Sequence, residues 1–325
     1  MVETGPAADW ARKQVDLGRV PVAVLGIASS EGISDLVAFG HDGGRQATAD
    51  DHFALFSVTK PITSMTVMRQ VELGKLSLGA SLGEALPGFG SDRTDTVTLE
   101  HLLSHRSGIA DPELDGGAPL REDLTSAEQA FYAGSLVQYC NVAFEGAAAM
   151  AEWADGRPFD EQLRSLATDT GAKGLTFETD CNPHTVHGTE AAGLDVEAMY
   201  KKKHPGAGLF GTATDLLNLG SELLRNSGKA VRPATLASMR RPRTTGLSHI
   251  SIRPKPLRHT GLGFQMPANE SELLARGIYG HPGWSGTEWW MFPEEDRCVV
   301  FLTNVLDTPD LGVDTNELFN AVAAS

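Results

Sequence analysis

A hydroxyl and an amine stand three residues apart in the step Ser57-Val58-Thr59-Lys60. The step opens a helix that the apolar pattern predicts over 57–73, and residues three apart lie on the same face of a helix. Ser57 would then sit at a helix N-terminus, where free N–H groups suit the negative charge that develops on an acyl carbonyl. The pattern makes Ser57 a candidate nucleophile with Lys60 beside it. The alternative is that Ser57 only caps the helix.

Two further stretches carry groups that could reach the same cleft. Tyr139 and Asn141 stand at alternate positions just before an alanine-rich helix predicted over 142–153, so both can project to one side of an extended segment. Far downstream, the glycines of Gly280-His281-Pro282-Gly283-Trp284-Ser285-Gly286 would let backbone approach a ligand closely. Ordinary alternatives are an interfacial Tyr139 and an Asn141 that only caps the next helix. The coincidence of three motifs favours catalysis.

In order and type, these motifs resemble those of the serine β-lactamase and penicillin-binding-protein superfamily, most closely its class C β-lactamase-like esterase branch. Ser57-Val58-Thr59-Lys60 resembles the S-x-x-K element and Tyr139-Cys140-Asn141 the Y-x-N element. His281-Pro282-Gly283 stands where true β-lactamases carry K-T-G. Family-like stretches at 102–109, 206–216 and 299–304 extend the resemblance over nearly the whole chain.

The resemblance implies an α/β (α+β) fold of the β-lactamase type, in which an antiparallel sheet flanked by helices is joined by an inserted helical lobe. We expect residues 1–60 and 206–325 to form the discontinuous sheet lobe and residues 61–205 the mostly helical lobe. The active site would lie between the two lobes. It would need no cofactor.

The resemblance also implies a role for each motif residue. Ser57 would be the nucleophile, with Lys60 and a Tyr139 phenolate sharing the work of the base. Asn141 would position Lys60 and the acyl side chain of the substrate. The backbone N–H groups of Ser57 and Trp284 would form the oxyanion hole. Which of Lys60 and Tyr139 holds the proton at each step stays open at this point.

The third motif departs from that of β-lactamases in an informative way. His281-Pro282-Gly283 lacks the lysine and threonine that recognise a carboxylate, and a neutral imidazole beside Trp284, Trp289 and Trp290 describes a more apolar pocket. We therefore expect His281, Gly283 and Trp284 to bind and orient an uncharged acyl or alkoxy group. Ordinary core packing is the alternative for Trp289 and Trp290, because neighbours on a strand face opposite sides.

These inferences predict a serine hydrolase that cleaves carboxylic esters through an acyl-enzyme at Ser57, with amides as a second class of substrate. The first alternative is an acyltransferase that passes the same acyl group to an amine or alcohol acceptor. Less favoured alternatives are a β-lactamase or D-peptidase and a non-catalytic binding homologue. The predicted partners are therefore small molecules.

Composition excludes other classes of function. The chain has 325 residues and a net charge of −15, which argues against nucleic acid and anionic membranes as partners. No apolar segment approaches the roughly 20 residues of a membrane span. Residues 1–6 show no signal-peptide pattern and the three cysteines have no framework spacing, so we expect a cytoplasmic location. His101 and His105 lack the glutamate of a zinc motif, and no metal is expected.

Periodicity and turn residues predict the remaining elements. Strands are expected at 20–28, 33–40, 261–266, 275–280, 288–291 and 298–304. Helices besides 57–73 and 142–153 are expected at 7–17, 99–104, 159–168, 214–224 and 314–324.

Overall fold

The structure is a computed structural model that describes residues 5–250, 258–267 and 277–324. Its strands are β1 Val22–Ser29, β2 Gly32–Asp42, β3 Arg45–Gln46, β4 Phe53–Ala54, β5 Val137–Gln138, β6 Phe210–Gly211, β7 His249–Ile250, β8 Arg258–Thr260, β9 Gln265–Pro267, β10 Tyr279–Pro282, β11 Glu288–Phe292 and β12 Arg297–Leu302. Its α-helices are α1 Pro6–Asp16, α2 Thr59–Glu72, α3 Leu82–Ala85, α4 Leu99–Leu103, α5 Leu120–Ser126, α6 Ala143–Asp155, α7 Phe159–Thr170, α8 Thr189–Ala192, α9 Val196–Lys201, α10 Ala213–Arg225, α11 Pro233–Met239 and α12 Thr315–Ala323.

An antiparallel sheet of eight strands, in the order β3-β2-β1-β12-β11-β10-β9-β8, organises the fold. Strand β1, third from one edge, pairs with β2 and β12, so that Val24 lies opposite Ala38 and Leu302. All residues of β1 except the last are buried, which explains why its sequence is a continuous apolar run instead of an alternating one. The predicted α/β fold with an antiparallel sheet flanked by helices is confirmed.

The two faces of the sheet belong to different hydrophobic clusters. Helix α10 packs on β1 and β12 from one side, and α1 and α12 lie together on the other. Trp289 and Trp290 are both fully buried, Trp289 in the cluster of α10 and Trp290 in that of α1 and α12, where it meets Phe319 edge-on at 5.6 Å. Successive side chains of β11 therefore fill opposite cores.

The large sheet is built from chain segments 22–46 and 258–302, whereas helices α2 to α11 lie in sequence between them. Helix α6 packs on α2, α4 and α5. The division of the chain into lobes at 60/61 and 205/206 stays a prediction. Among the described residues, no helix combines the length and the apolar character needed to cross a bilayer.

Most predicted elements agree with the structure to within two or three residues, but the strand predicted over 261–266 is wrong. Residues 261–264 form the turn between β8 and β9, in which Gly261 N–H donates to the Phe264 carbonyl oxygen at 2.9 Å, and only residues 265 and 266 lie in a strand, β9. Gly263 has a φ of +82°, a left-handed conformation that suits a turn. Leu262 and Phe264 are buried within the turn, and this produced the misleading alternation. Of the strand predicted over 275–280, residues 275 and 276 lie outside the described residues, and β10 begins at Tyr279.

Candidate active site

Ser57 lies in a single 3₁₀ turn, Phe56–Val58, that joins β4 to α2. The predicted helix therefore begins two residues later than expected, at Thr59, with Ser57 in the turn that leads into it. Phe56 has a φ of 44°, a conformation that a bulky residue rarely adopts and that costs about 1–3 kcal/mol. Phe56 is buried, so packing holds the strained turn in place directly before the candidate nucleophile.

Lys60 is fully buried and its ammonium has three oxygen partners. Nζ donates to Ser57 Oγ at 3.1 Å, to Asn141 Oδ1 at 2.7 Å and to the Gly206 carbonyl oxygen at 2.7 Å. These bonds join three distant parts of the chain at one nitrogen. They also compensate for the burial of a charge.

Tyr139 completes the group around Ser57. Its hydroxyl is hydrogen-bonded to Ser57, and its ring faces Lys60, with Nζ 4.5 Å from the ring centroid. The residue as a whole is 38% exposed, yet burial of its hydroxyl end raises the pKa of Tyr139 well above its usual range, and the Ser57 hydrogen bond opposes this only in part. The direction of this shift favours the neutral phenol at rest over the phenolate that the family resemblance implies.

Asn141 is oriented by Asp111, a residue that the sequence reasoning missed. Asn141 Nδ2 donates to Asp111 Oδ2 at 2.7 Å, while the backbone N–H groups of Asn141 and Val142 both donate to Asp111 Oδ1 at 2.8 Å. Cys140 is buried, and its Sγ lies 3.6 Å from Asp111 Oδ1. The only signal in the sequence was the position of Asp111 two residues after the family-like stretch 102–109.

His105 contacts the segment Tyr139-Cys140-Asn141 as well. Its Nδ1 accepts the Cys140 N–H at 3.1 Å, and its ring stacks on that of Tyr139, with centroids 4.2 Å apart. Burial, followed by the charge of Lys60, lowers the pKa of His105 to about 3, so the ring is neutral. His101 Nδ1 instead faces the Thr98 N–H, at 3.3 Å. The two histidines thus have separate backbone partners.

A second buried histidine supports the carbonyl that Lys60 uses. His204 Nδ1 accepts the N–H of Gly206 at 2.8 Å, in the residue whose carbonyl oxygen faces Lys60. Burial and then the Lys60 charge lower the pKa of His204 to about 3. A neutral His204 is required here because its Nδ1 acts as the acceptor.

The turn between β10 and β11 carries the third motif and is fixed beside Ser57. Ser285 Oγ donates to the Ala54 carbonyl oxygen at 2.8 Å and Thr287 Oγ1 to that of Leu55 at 3.3 Å. A Cβ atom on Gly283 would overlap Thr287 Oγ1 and would lie 2.5 Å from the Leu55 carbonyl oxygen. Gly283 is therefore the residue that lets the turn approach the backbone next to the nucleophile.

His281 lies on β10 and is buried at the same site, with its ring centroid 6.1 Å from that of Tyr139. Nδ1 donates to the Pro282 carbonyl oxygen at 2.7 Å, so Nε2 carries the lone pair, and Nε2 has no hydrogen-bond partner among the described residues. Burial, reinforced by Lys60, lowers the pKa of His281 well below its ordinary value. The direction of this shift favours the neutral imidazole that the sequence predicts.

Of the three tryptophans expected around the pocket, only Trp284 is placed near the candidate nucleophile. It is half-buried, packs edge-on against Phe56 at 6.1 Å, and its Nε1 donates to Asp307 Oδ1 at 2.9 Å. Trp289 and Trp290 are core residues on the two faces of β11. The expectation that all three form an apolar pocket is corrected accordingly.

The backbone N–H groups of Ser57 and Trp284 lack an acceptor within the described part of the chain. For Ser57 the reason is its place in the first turn before α2, where N–H groups have no partner inside the helix. The structure thus brings Ser57, Lys60, Tyr139, Asn141 and the segment 281–284 together, from three separate parts of the chain. Such an arrangement suits attack by a serine on a carbonyl compound.

Comparison with known proteins agrees with this geometry. The family model described as Beta-lactamase matches residues 7–323. The chain belongs to the beta-lactamase family. One relative of this beta-lactamase-family chain is esterase EstB from Burkholderia gladioli. The two sequences are 28% identical in an alignment that covers 91% of this chain and 86% of EstB.

Solved structures share the beta-lactamase-family fold over almost the whole chain. One is EstCE1, described as a hydrolase with promiscuous acyltransferase activity, with a TM-score of 0.78, 22% identity, and coverage of 98% of this chain and 97% of that one. Another is a mutant of simvastatin synthase (LovD) from Aspergillus terreus, with a TM-score of 0.78, 19% identity, and coverage of 99% and 96%. At these identities the likeness concerns the fold alone.

Proposed function

We propose that this protein is a serine esterase that forms an acyl-enzyme at Ser57. The observation that carries the proposal is the position of Ser57 Oγ between Lys60 Nζ, at 3.1 Å, and the hydroxyl of Tyr139. A serine hydroxyl needs a base within hydrogen-bond reach to act as a nucleophile, and this site supplies two candidate groups. Family membership and the esterase EstB among the relatives support the same reaction class.

The raised pKa of Tyr139 makes Lys60, once it has lost a proton to solvent, the better acceptor for the serine proton. Ser57 Oγ bonds to the ester carbonyl carbon while its proton passes to Lys60. The oxyanion that forms accepts hydrogen bonds from the backbone N–H groups of Ser57 and Trp284. The bond to the alcohol oxygen then breaks, and that oxygen takes the hydroxyl proton of Tyr139.

The acyl-enzyme now contains a Lys60 ammonium and a Tyr139 phenolate, which the nearby charge stabilises. Water attacks the acyl carbon and gives its proton to the phenolate. Ser57 Oγ leaves the carbon and takes its proton back from Lys60, which releases the acid and restores the starting state. The phenolate implied by the family resemblance is thus assigned to the intermediate.

We assign small esters with an uncharged acyl group as the substrate class. The support is the neutral His281, whose Nε2 offers an acceptor and no positive charge, together with the aromatic edge of Trp284. A carboxylate on the acyl group would meet a lone pair there. We expect the p-nitrophenyl ester of butyric acid to be cleaved about tenfold faster or more, by kcat/KM, than the mono-p-nitrophenyl ester of succinic acid.

The direct test follows p-nitrophenol release and intact protein mass during reaction with p-nitrophenyl butyrate. A burst of phenol with a butyryl adduct on the wild type, and neither with Ser57→Ala, is the expected result. A wild-type burst that survives in Ser57→Ala would move the nucleophile elsewhere. The absence of both signals with esters of several chain lengths would contradict the esterase proposal.

Acyl transfer is the second candidate, and it is supported by EstCE1, a hydrolase of the same fold with promiscuous acyltransferase activity. Ser57, Lys60 and Tyr139 would act as before, with an alcohol or amine in place of water. The test adds butanol or an amine to the burst assay and separates the products. Ester or amide that grows at the expense of butyric acid would establish transfer, whereas acid alone with every acceptor would exclude it.

A further inference from the structure

Asp111 is joined to Lys60 through the side chain of Asn141, and it thereby determines which atom Lys60 meets. Its two carboxylate oxygens accept three N–H groups of the Tyr139-Cys140-Asn141 segment and the residue after it, at 2.7–2.8 Å. Oδ1 accepts both backbone N–H groups and Oδ2 accepts the side-chain amide. One half-buried carboxylate thus fixes both the backbone and the side chain of Asn141.

The Asp111 carboxylate determines the orientation of the Asn141 side-chain amide. Asp111 when ionised can only accept hydrogen bonds, and the Lys60 ammonium can only donate them. Asn141 stands between the two and satisfies both, with Nδ2 toward Asp111 and Oδ1 toward Lys60 at 2.7 Å. A flipped amide would place a donor against the ammonium and an acceptor against the carboxylate. Without Asp111 the Lys60 ammonium alone would oppose that flip.

We propose that Asp111 is a positioning residue for the serine chemistry: through the Asn141 amide it holds Lys60 Nζ in hydrogen-bond contact with Ser57 Oγ. The inference rests on the proposed function of Ser57 and Lys60. Displacement of a catalytic group by as little as 1 Å can cost about 100-fold in rate. The contact at risk is the 3.1 Å bond between Lys60 and Ser57.

A purely structural role is the alternative that a test must separate. Val142 precedes the first residue of α6, has no side chain able to cap the helix, and donates its N–H to Asp111 instead. Loss of the carboxylate would therefore also weaken the start of α6, at a cost of about 0.5–2 kcal/mol. The substitution has to retain the acceptor for the backbone while it changes the group that faces Asn141.

Asp111→Asn meets this requirement. Its side-chain oxygen can still accept the two backbone N–H groups, but its NH₂ then faces the NH₂ of Asn141 and favours the flipped amide. We expect the rate of Ser57 labelling by a fluorophosphonate probe, followed by intact mass, to fall about 100-fold. The urea midpoint should stay close to that of the wild type. In steady-state assays the loss should lie mainly in kcat.

The decisive experiment is a double variant that exchanges the side chains at positions 111 and 141 and should restore labelling of Ser57. Combining Asp111→Asn with Asn141→Asp places an amide at 111 and a carboxylate at 141, so that Lys60 again meets an oxygen. Labelling should recover at least about tenfold over Asp111→Asn alone, with the acid limb of its pH profile displaced because the negative charge now lies against Lys60. Asp195→Asn, which alters a carboxylate that caps α9 through the Ala198 N–H, is the matched control and should label normally.

The outcomes distinguish this inference from the proposed function. Equal labelling of the wild type and Asp111→Asn would overturn the positioning role alone. A slow Asp111→Asn variant that the exchange does not restore, and whose urea midpoint has fallen, would show that Asp111 acts only on folding. Failure of the probe to label Ser57 in the wild type would overturn the proposed function, and this inference with it.

Discussion

The Nζ atom of Lys60 lies 4.5 Å from the centroid of the Tyr139 ring. A cation over an aromatic face is attracted by the ring itself, whether or not the ring carries a hydroxyl. Tyr139→Phe therefore keeps the contact that holds the ring and removes only the group hydrogen-bonded to Ser57. This makes the role of the hydroxyl separable from that of the ring.

We expect Tyr139→Phe to discriminate between leaving groups. An alkyl ester needs a proton on its departing oxygen, so its hydrolysis should fall by about 100-fold or more, the usual contribution of a general acid–base group. A p-nitrophenyl ester, whose leaving group needs no proton, should lose no more than about tenfold in its burst rate. The two rates are compared on ethyl butyrate and p-nitrophenyl butyrate. Equal losses on both would contradict the donor role and place Tyr139 earlier, as the base for Ser57.

Gly283→Ala should remove activity while the protein stays folded. The added Cβ would collide with Thr287 Oγ1 and the Leu55 carbonyl oxygen, so the turn that carries the Trp284 N–H must move away from Ser57. Loss of one oxyanion donor lowers kcat by about 100–1,000-fold. Gly79→Ala, where a Cβ would meet nothing within 4 Å, is the control and should keep its activity. An active Gly283→Ala variant would show that Trp284 N–H does not serve the oxyanion.

Three buried histidines around Lys60 predict loss of stability in acid. His105 and His204 have pKa values of about 3 in the folded protein, against 6.5 when unfolded, and His281 is shifted in the same direction. Between these values the unfolded chain binds protons that the folded protein does not. The free energy of unfolding should therefore fall as pH drops below about 6.5, by about 1.4 kcal/mol per pH unit for each histidine.

Urea denaturation at several pH values between 7.5 and 4.5 measures this slope. The side-chain oxygen of Asn in His204→Asn can still accept the Gly206 N–H. This variant should reduce the dependence of the free energy of unfolding on pH by the contribution of one histidine. His41→Asn changes an exposed histidine and is the control, for which we expect an unchanged slope. A slope that His204→Asn leaves intact would mean that His204 is protonated in the folded protein.

The neighbouring tryptophans of the third motif and of β11 should respond in opposite ways to substitution. Trp289→Phe removes part of a fully buried ring and should lower the free energy of unfolding by about 1–3 kcal/mol, with little effect on KM for a butyrate ester. Trp284→Phe should leave stability nearly unchanged and alter KM, because Trp284 is half-buried beside Phe56. Parallel denaturation and kinetic assays of both variants test this; a Trp289→Phe variant with normal stability and an altered KM would return Trp289 to the pocket.

Local spacing was enough to predict much of the site. The three-residue step from Ser57 to Lys60 and the alternation of Tyr139 with Asn141 are short-range patterns, and short-range geometry brings each pair to one side. Most strands of the sheet and the long helices α2, α6 and α10 also follow from periodicity and end signals. The pairing of these pieces came from the family resemblance.

What the sequence could not supply depends on contacts between distant segments. Asp111 belongs to the site only because its loop meets the start of α6, and nothing in its local pattern shows this. The turn at 261–264 looked like a strand because both of its apolar residues are buried. The resting protonation of Tyr139 is likewise a product of tertiary burial, which overrides what the motif implies. The predicted cytoplasmic location and the lobe boundaries stay predictions.

Trp284 differs from the two tryptophans of β11 in one more respect. Its indole is half-buried, hydrogen-bonded to Asp307 and in edge contact with Phe56, the residue before Ser57. Acylation of Ser57 would change the surroundings of that indole, whereas Trp289 and Trp290 would stay enclosed. The fluorescence of Trp284 should therefore report on acylation of Ser57. The substitution Trp153→Phe would remove the emission of an exposed tryptophan. In that background, stopped-flow fluorescence would record acyl-enzyme formation even with substrates that release no coloured product.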